Sequence, residues 1–83
     1  MKHVRITKIR KLEGATWEYL KDGQFREGQE FEPPKIGEMY WVGGDKIGKF
    51  FHTSLVQGIV EGAPDSKMMT IVTLNSEYQI EYI

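Results

Sequence analysis

The sequence predicts an all-β fold, a small antiparallel barrel of SH3-like order with five to six short strands, and three observations carry that expectation. Segments rich in β-branched and aromatic residues recur at near-regular spacing along 83 residues. Turn-forming glycine, proline, aspartate and asparagine fall between them. No stretch reads as a convincing helix.

Taken in order, residues 3–12 form the first strand, on Val4, Ile6, Thr7 and Ile9. Residues 15–20 are a second candidate, ended by the turn signal in Lys21-Asp22-Gly23. Residues 24–32 are polar around Phe25 and Phe31 and read as a loop or a short strand. Pro33-Pro34 forbids a central strand and holds residue 33 extended. Residues 38–43 and 46–52 then read as two strands joined by a tight turn at Gly44-Asp45. Residues 54–61 make another strand, closed by Gly62-Ala63-Pro64-Asp65-Ser66, and residues 67–74 follow with Thr70, Ile71, Val72 and Thr73. Asn75-Ser76 makes a one-turn break. Residues 78–83 alternate Tyr78, Ile80 and Tyr82 with Gln79 and Glu81, the pattern of a half-buried closing strand.

At 9.6 kDa the chain is one domain, 1–83, near the lower limit for independent folding. With no cysteine there is no disulfide scaffold, thiolate metal site or cysteine nucleophile. Residues 1–12 lack the apolar run of a secretion signal, and no run has the length of a membrane span, so a cytoplasmic protein without membrane contact is expected.

The net charge of −1 conceals a polarity. Lys2, Arg5, Lys8, Arg10 and Lys11 lie in the first twelve residues with no acid among them, whereas residues 13–32 hold six acids against Lys21 and Arg26. The bland reading is that the basic strand lies beside the acidic segment and the two neutralise each other. The alternative is a basic strip that meets an anion, although duplex binders are usually basic overall.

Neighbouring strand residues face opposite sides of a sheet. A two-residue loop at Gly44-Asp45 sets Tyr40, Val42, Ile47 and Phe51 on a core face. Met39, Trp41, Lys46, Gly48, Phe50 and His52 then share the other face, with Trp41 across from Gly48. Because Tyr40/Trp41 and Phe50/Phe51 are adjacent pairs, each must send one ring outward. Three uses compete for those rings: a seam between subunits, a platform for a stacked base, or extra core beneath a covering segment, 13–34, with Trp17, Phe25 and Phe31.

Catalytic chemistry is missing. His3 and His52 have no acidic partner at metal-ligand spacing, and Ser54, Ser66 and Ser76 lack a nucleophile context. The expectation is therefore no enzyme, no metal and no cofactor. Gly43–Phe50 mimics a phosphate-binding loop, but Phe50 stands where a magnesium-binding hydroxyl belongs and no helix follows. What survives is that glycine amides with Lys46 and Lys49 could cradle one phosphate. Two polar clusters remain, His52-Thr53-Ser54 and Thr73, Asn75, Ser76. They either satisfy local backbone or converge as donors on a ligand.

Thr53-Ser54-Leu55-Val56 with Ile59, followed by Thr73-Leu74-Asn75-Ser76-Glu77-Tyr78-Gln79-Ile80, resembles a tail pattern, TS-x-V … T-x-N-S-x-Y, in small proteins of bacteriophages and related mobile elements. It covers about a third of the chain. The resemblance implies a compact protein acting in the cytoplasm of an infected bacterium, where small phage proteins include oligomeric sponges for cyclic nucleotide immune signals. The leading expectation is thus a non-enzymatic barrel that self-associates and sequesters a small anionic ligand of that kind. Trp41 and Phe50 would stack, Lys46 and Lys49 would supply charge, and His52, Thr53, Ser54, Asn75, Ser76 and Tyr78 would complete the site. The alternatives are a module that docks on and inhibits a host enzyme, and a nucleic-acid-binding barrel using the first strand.

Overall fold

The computed structural model describes residues 2–12, 20–44, 50–62 and 67–83. Alternation decides which side chains go inward. In β1 (His3–Lys11) Val4, Ile6 and Lys8 are buried, and in β6 (Ser76–Tyr82) Ser76, Tyr78 and Ile80 are. Between them lie β2 (Phe25–Glu30), β3 (Met39–Gly43), β4 (Phe50–Glu61) and β5 (Met68–Thr73). Each strand pairs antiparallel with the next, and β6 returns to β1, so the sheet closes on itself. This is the small antiparallel all-β barrel expected from the sequence, with six strands.

The core is Val4, Ile6, Leu20, Tyr40, Val42, Phe51, Val56, Ile71, Tyr78 and Ile80. A fully buried aliphatic side chain of this kind contributes about 1.5–3 kcal/mol. Closure leaves no long free edge and fixes which rings point outward. Among the described residues no helix is long and apolar enough to cross a membrane.

Three local expectations are corrected. Gly43 pairs with Phe50, so the β3–β4 connection is longer than two residues, and Trp41 lies across from His52, not Gly48. Because the register moves by an even number of residues, the faces survive: Tyr40, Val42 and Phe51 are buried and Phe50 is exposed. Residues 50–61 form one strand where two were expected. The apparent junction at residues 53–54 is a bulge, where Thr53 and Ser54 together oppose Tyr40. The displaced Tyr40 N–H donates to Thr53 Oγ1 at 3.1 Å, and that hydroxyl donates to the Ser54 carbonyl at 2.7 Å. Residues 25–30 are a barrel strand and not part of a cover. Of the expected strand at 15–20, only Leu20 is among the described residues, where it is a buried bend.

The first strand does lie beside acids of residues 20–32, through Arg5 and Lys8, and β6 supplies further acids on its other side. Arg5 Nε meets Glu27 of β2 at 2.7 Å and its Nη1 meets Glu81 of β6 at 3.2 Å, while Arg10 meets Glu77 at 3.1 Å. Lys8 is fully buried, donating to the Leu20 carbonyl at 2.6 Å with Asp22 at 3.5 Å.

Candidate functional site: an outward aromatic face with two clefts

Strand register assembles the outer face of β3 and β4. The Trp41–His52 rung sets those rings 4.5 Å apart at 35°. Phe31 follows the end of β2, where its N–H donates to the Trp41 carbonyl at 3.2 Å. Its ring then lies over Gly43, where a Cβ would come within 3.1 Å of Phe31 Cε1. From that seat Phe31 meets Trp41 at 6.4 Å and Phe50 edge-on at 5.7 Å. Each adjacent aromatic pair therefore does send one ring outward. Phe50 stays 56% exposed and Phe31 47%. Phe25 belongs to a different part of the surface, beneath the Arg5 guanidinium at 5.5 Å. Of the expected covering segment, Phe31 reaches this face, while Trp17 lies outside the described residues.

Two clefts flank the rings. The larger, about 530 Å³, is lined by Phe31, Glu32, Pro33, Lys35, Glu38, Met39, Trp41 and Leu55. The smaller, about 260 Å³, is lined by Met39 together with His52, Thr53, Ser54, Asn75, Ser76 and Tyr78. The sequence reading names all six of the latter, five of them from its two polar clusters and Tyr78 beside them, and the fold brings them to one place. Their parts differ. Thr53, Ser76 and Tyr78 are buried and form the floor. Tyr78 packs edge-on against Phe51 at 6.0 Å. Thr73 Oγ1 accepts from the Ser76 N–H at 3.1 Å and donates to the Ser76 carbonyl at 3.0 Å, which holds the one-turn break between β5 and β6. The Asn75 N–H lies 3.3 Å from both Ser54 Oγ and Thr73 Oγ1. His52 Nδ1 is 3.1 Å from the Thr53 carbonyl. A carbonyl only accepts, so Nδ1 is the donor in this contact. The side chains of His52, Ser54 and Asn75 are the ones a ligand would meet. Lys46 and Lys49 lie outside the described residues.

A second polar centre lies under the surface. Glu30, 4% exposed, accepts from the hydroxyls of Tyr40 and Tyr82, both at 2.9 Å. Burial first, and the hydrogen bond to Glu30 second, push both phenols well above their ordinary range. In the sequence Glu30 is one of the six acids of residues 13–32, in a segment that reads as a polar loop or a short strand. The available signal was spacing, since Glu30 shares a strand face with Gly28. Among the described residues no group of three or more histidines or acids is placed to hold a metal ion.

Fold and face together define a small closed β-barrel that carries exposed stacked rings between two clefts. Compared with protein families, with curated proteins and with solved structures, the chain matches none.

Proposed function

We propose that the protein is a non-catalytic interaction barrel that docks on another protein through the outer face of β3 and β4. The observation that carries this reading is the ring cluster of Phe31, Trp41, Phe50 and His52, held in place by register and open to solvent. Interface centres are enriched in Trp, Phe and Met and depleted of charge, and soluble proteins seldom leave such a patch unused. The resemblance of the tail to small phage proteins supports a host enzyme in the bacterial cytoplasm as the partner. In affinity capture from a bacterial lysate, Trp41→Ala and Phe50→Ala are expected to lose proteins that the parent and Val60→Ala retain. Val60 is a control because it is exposed on the distant half of β4. Retention of the same proteins by all four chains would remove the reading.

A second reading is favoured by the convergence of His52, Ser54 and Asn75 at the smaller cleft. There a self-associating barrel would sequester a cyclic nucleotide, with a base against the Trp41–His52 stack. Base stacking of this kind contributes about 1–3 kcal/mol. Calorimetry against cyclic di- and trinucleotides and ADP-ribose derivatives is expected to give heat that Asn75→Ala reduces, from a multimer by solution mass. No heat at tens of micromolar protein (~10⁻⁵ M) would discard it. Nucleic-acid binding has less support, because Arg5, Lys8 and Arg10 of β1 are already engaged within the barrel.

A further inference from the structure

The larger cleft differs from the smaller one in charge. Its floor is two inclined aromatic plates, Phe31 and Trp41, with Met39 and Leu55 beside them. Its rim carries Glu32, Lys35 and Glu38. Lys35 Nζ lies 3.7 Å from Glu32, so those two largely offset each other. Glu38 has no ion-pair partner among the described residues, and its backbone is anchored, with its carbonyl accepting from the Val56 N–H at 2.9 Å. The cleft thus presents π faces and one uncompensated carboxylate. Elsewhere on the barrel the chain's own cations already use this chemistry: Arg5 lies over Phe25 and Lys2 over Tyr82 at 5.3 Å. Among the described residues no cation lies over Phe31 or Trp41.

Ring faces attract cations and repel anions, and a nearby carboxylate adds to that preference. Of the biological cations, a guanidinium fits both halves of the cleft. It stacks flat on an aromatic face and can present a planar fork to a carboxylate, whereas an ammonium is strongly hydrated and does neither as well. The volume of about 530 Å³ exceeds what one such side chain fills. The remainder, over Met39, Leu55 and Pro33, suits apolar neighbours. From this charge complementarity we infer that the larger cleft takes an arginine side chain, flanked by apolar residues, on an extended segment of the partner protein. The guanidinium lies over Trp41 and pairs with Glu38. This rests on the docking reading above and names the chemistry that the docking face selects.

The test is a titration of the intact protein, followed by the NMR signals of the Trp41 indole and the Phe31 ring, with three synthetic peptides. They are acetyl-Leu-Arg-Leu-amide, its citrulline counterpart, which has nearly the same shape without the charge, and its glutamate counterpart. The arginine peptide is expected to shift the Trp41 and Phe31 signals with a dissociation constant of about 1 mM or below, at least about tenfold tighter than citrulline, and the glutamate peptide to bind more weakly still. Glu38→Gln, an exposed substitution that leaves the backbone anchor in place, is expected to bring arginine and citrulline within about twofold of each other. Equal binding of arginine and citrulline by the parent, or no shift with arginine at several mM, overturns the inference. So does Glu38→Gln that keeps the full preference. A protein whose mass doubles at NMR concentration, with the same signals shifted before any peptide is added, would give the cleft to a second copy and also overturn it. These failures are separable from failure of the docking reading. Capture that depends on Trp41 can persist without any arginine preference, and then only the chemistry assigned to the cleft falls.

Discussion

Gly28→Ala is expected to unfold the barrel or to cost about 3 kcal/mol or more, a fall in Tm on the order of 15 °C. Gly28 is buried on β2, and a Cβ built on it would overlap the Gly43 carbonyl of β3. The obstacle is backbone, so no side chain can turn aside to make room. The seam it would force apart is also the narrowest of the barrel: β2 and β3 are in register only at Gln29↔Gly43 and Glu30↔Val42. Losing those rungs would also unseat Phe31 from Gly43 and scatter the aromatic face. Gly58→Ala is the control, because nothing lies within 4 Å of the place its methyl group would take, and it is expected to melt within about 1 kcal/mol of the parent. Thermal and urea melts read both. A Gly28→Ala protein that melts with the parent would show that the seam yields freely.

The second large effect is expected at Glu30. Glu30→Ala removes the acceptor shared by Tyr40 and Tyr82 and leaves at least the Tyr40 hydroxyl buried without a partner. Each stranded group costs about 1–3 kcal/mol, so a loss of about 2–5 kcal/mol in urea melts is expected. The same centre sets an alkaline limit. Both phenols have folded-state values raised above the ordinary 10.0, mainly through burial. The folded protein therefore holds these protons more tightly than the unfolded chain. The associated stability is fully present below pH 10 and is lost as pH rises above it. Stability measured from pH 8 to 11.5 is expected to decline above about pH 10, and Tyr40→Phe is expected to flatten that decline. A Glu30→Ala chain as stable as the parent, with an unchanged alkaline limb, would contradict this account.

The barrel was legible because most of its strands announce themselves by period-two alternation over β-branched and aromatic residues, with prolines and glycines between. β2 was legible only as a loop or a short strand, and the reason is physical. Its inward positions are Gly28, needed for close backbone approach, and Glu30, which two phenols satisfy. Neither residue is apolar, so the alternation that would separate strand from loop is missing. The bulge at Thr53 and Ser54 misled in the opposite way, by shifting the phase within one strand so that it reads as two. Lys8 reads as one of five cations of a basic first strand, although the alternation that buries Val4 and Ile6 places it on the same face. Outward rings could be inferred because adjacent aromatics cannot both enter a single core. The residues of the smaller cleft could be chosen, but not brought together, since their proximity depends on β3, β4 and β5–β6 meeting across the closed sheet. The seat of Phe31 on Gly43 needs the register itself.

Closure of the sheet between its first and last strands has a consequence for how the molecule comes into being. Arg5 opposes Glu81, and the Ile83 N–H donates to the His3 carbonyl at 3.0 Å. Strands adjacent in sequence can zip locally, but the first strand stays half-paired until the sixth arrives from the far end of a loop that spans nearly the whole fold. The β1–β6 pairing therefore carries the entropy of closing that long loop. Without it, the edge of β1 that β6 covers would present unpaired backbone groups.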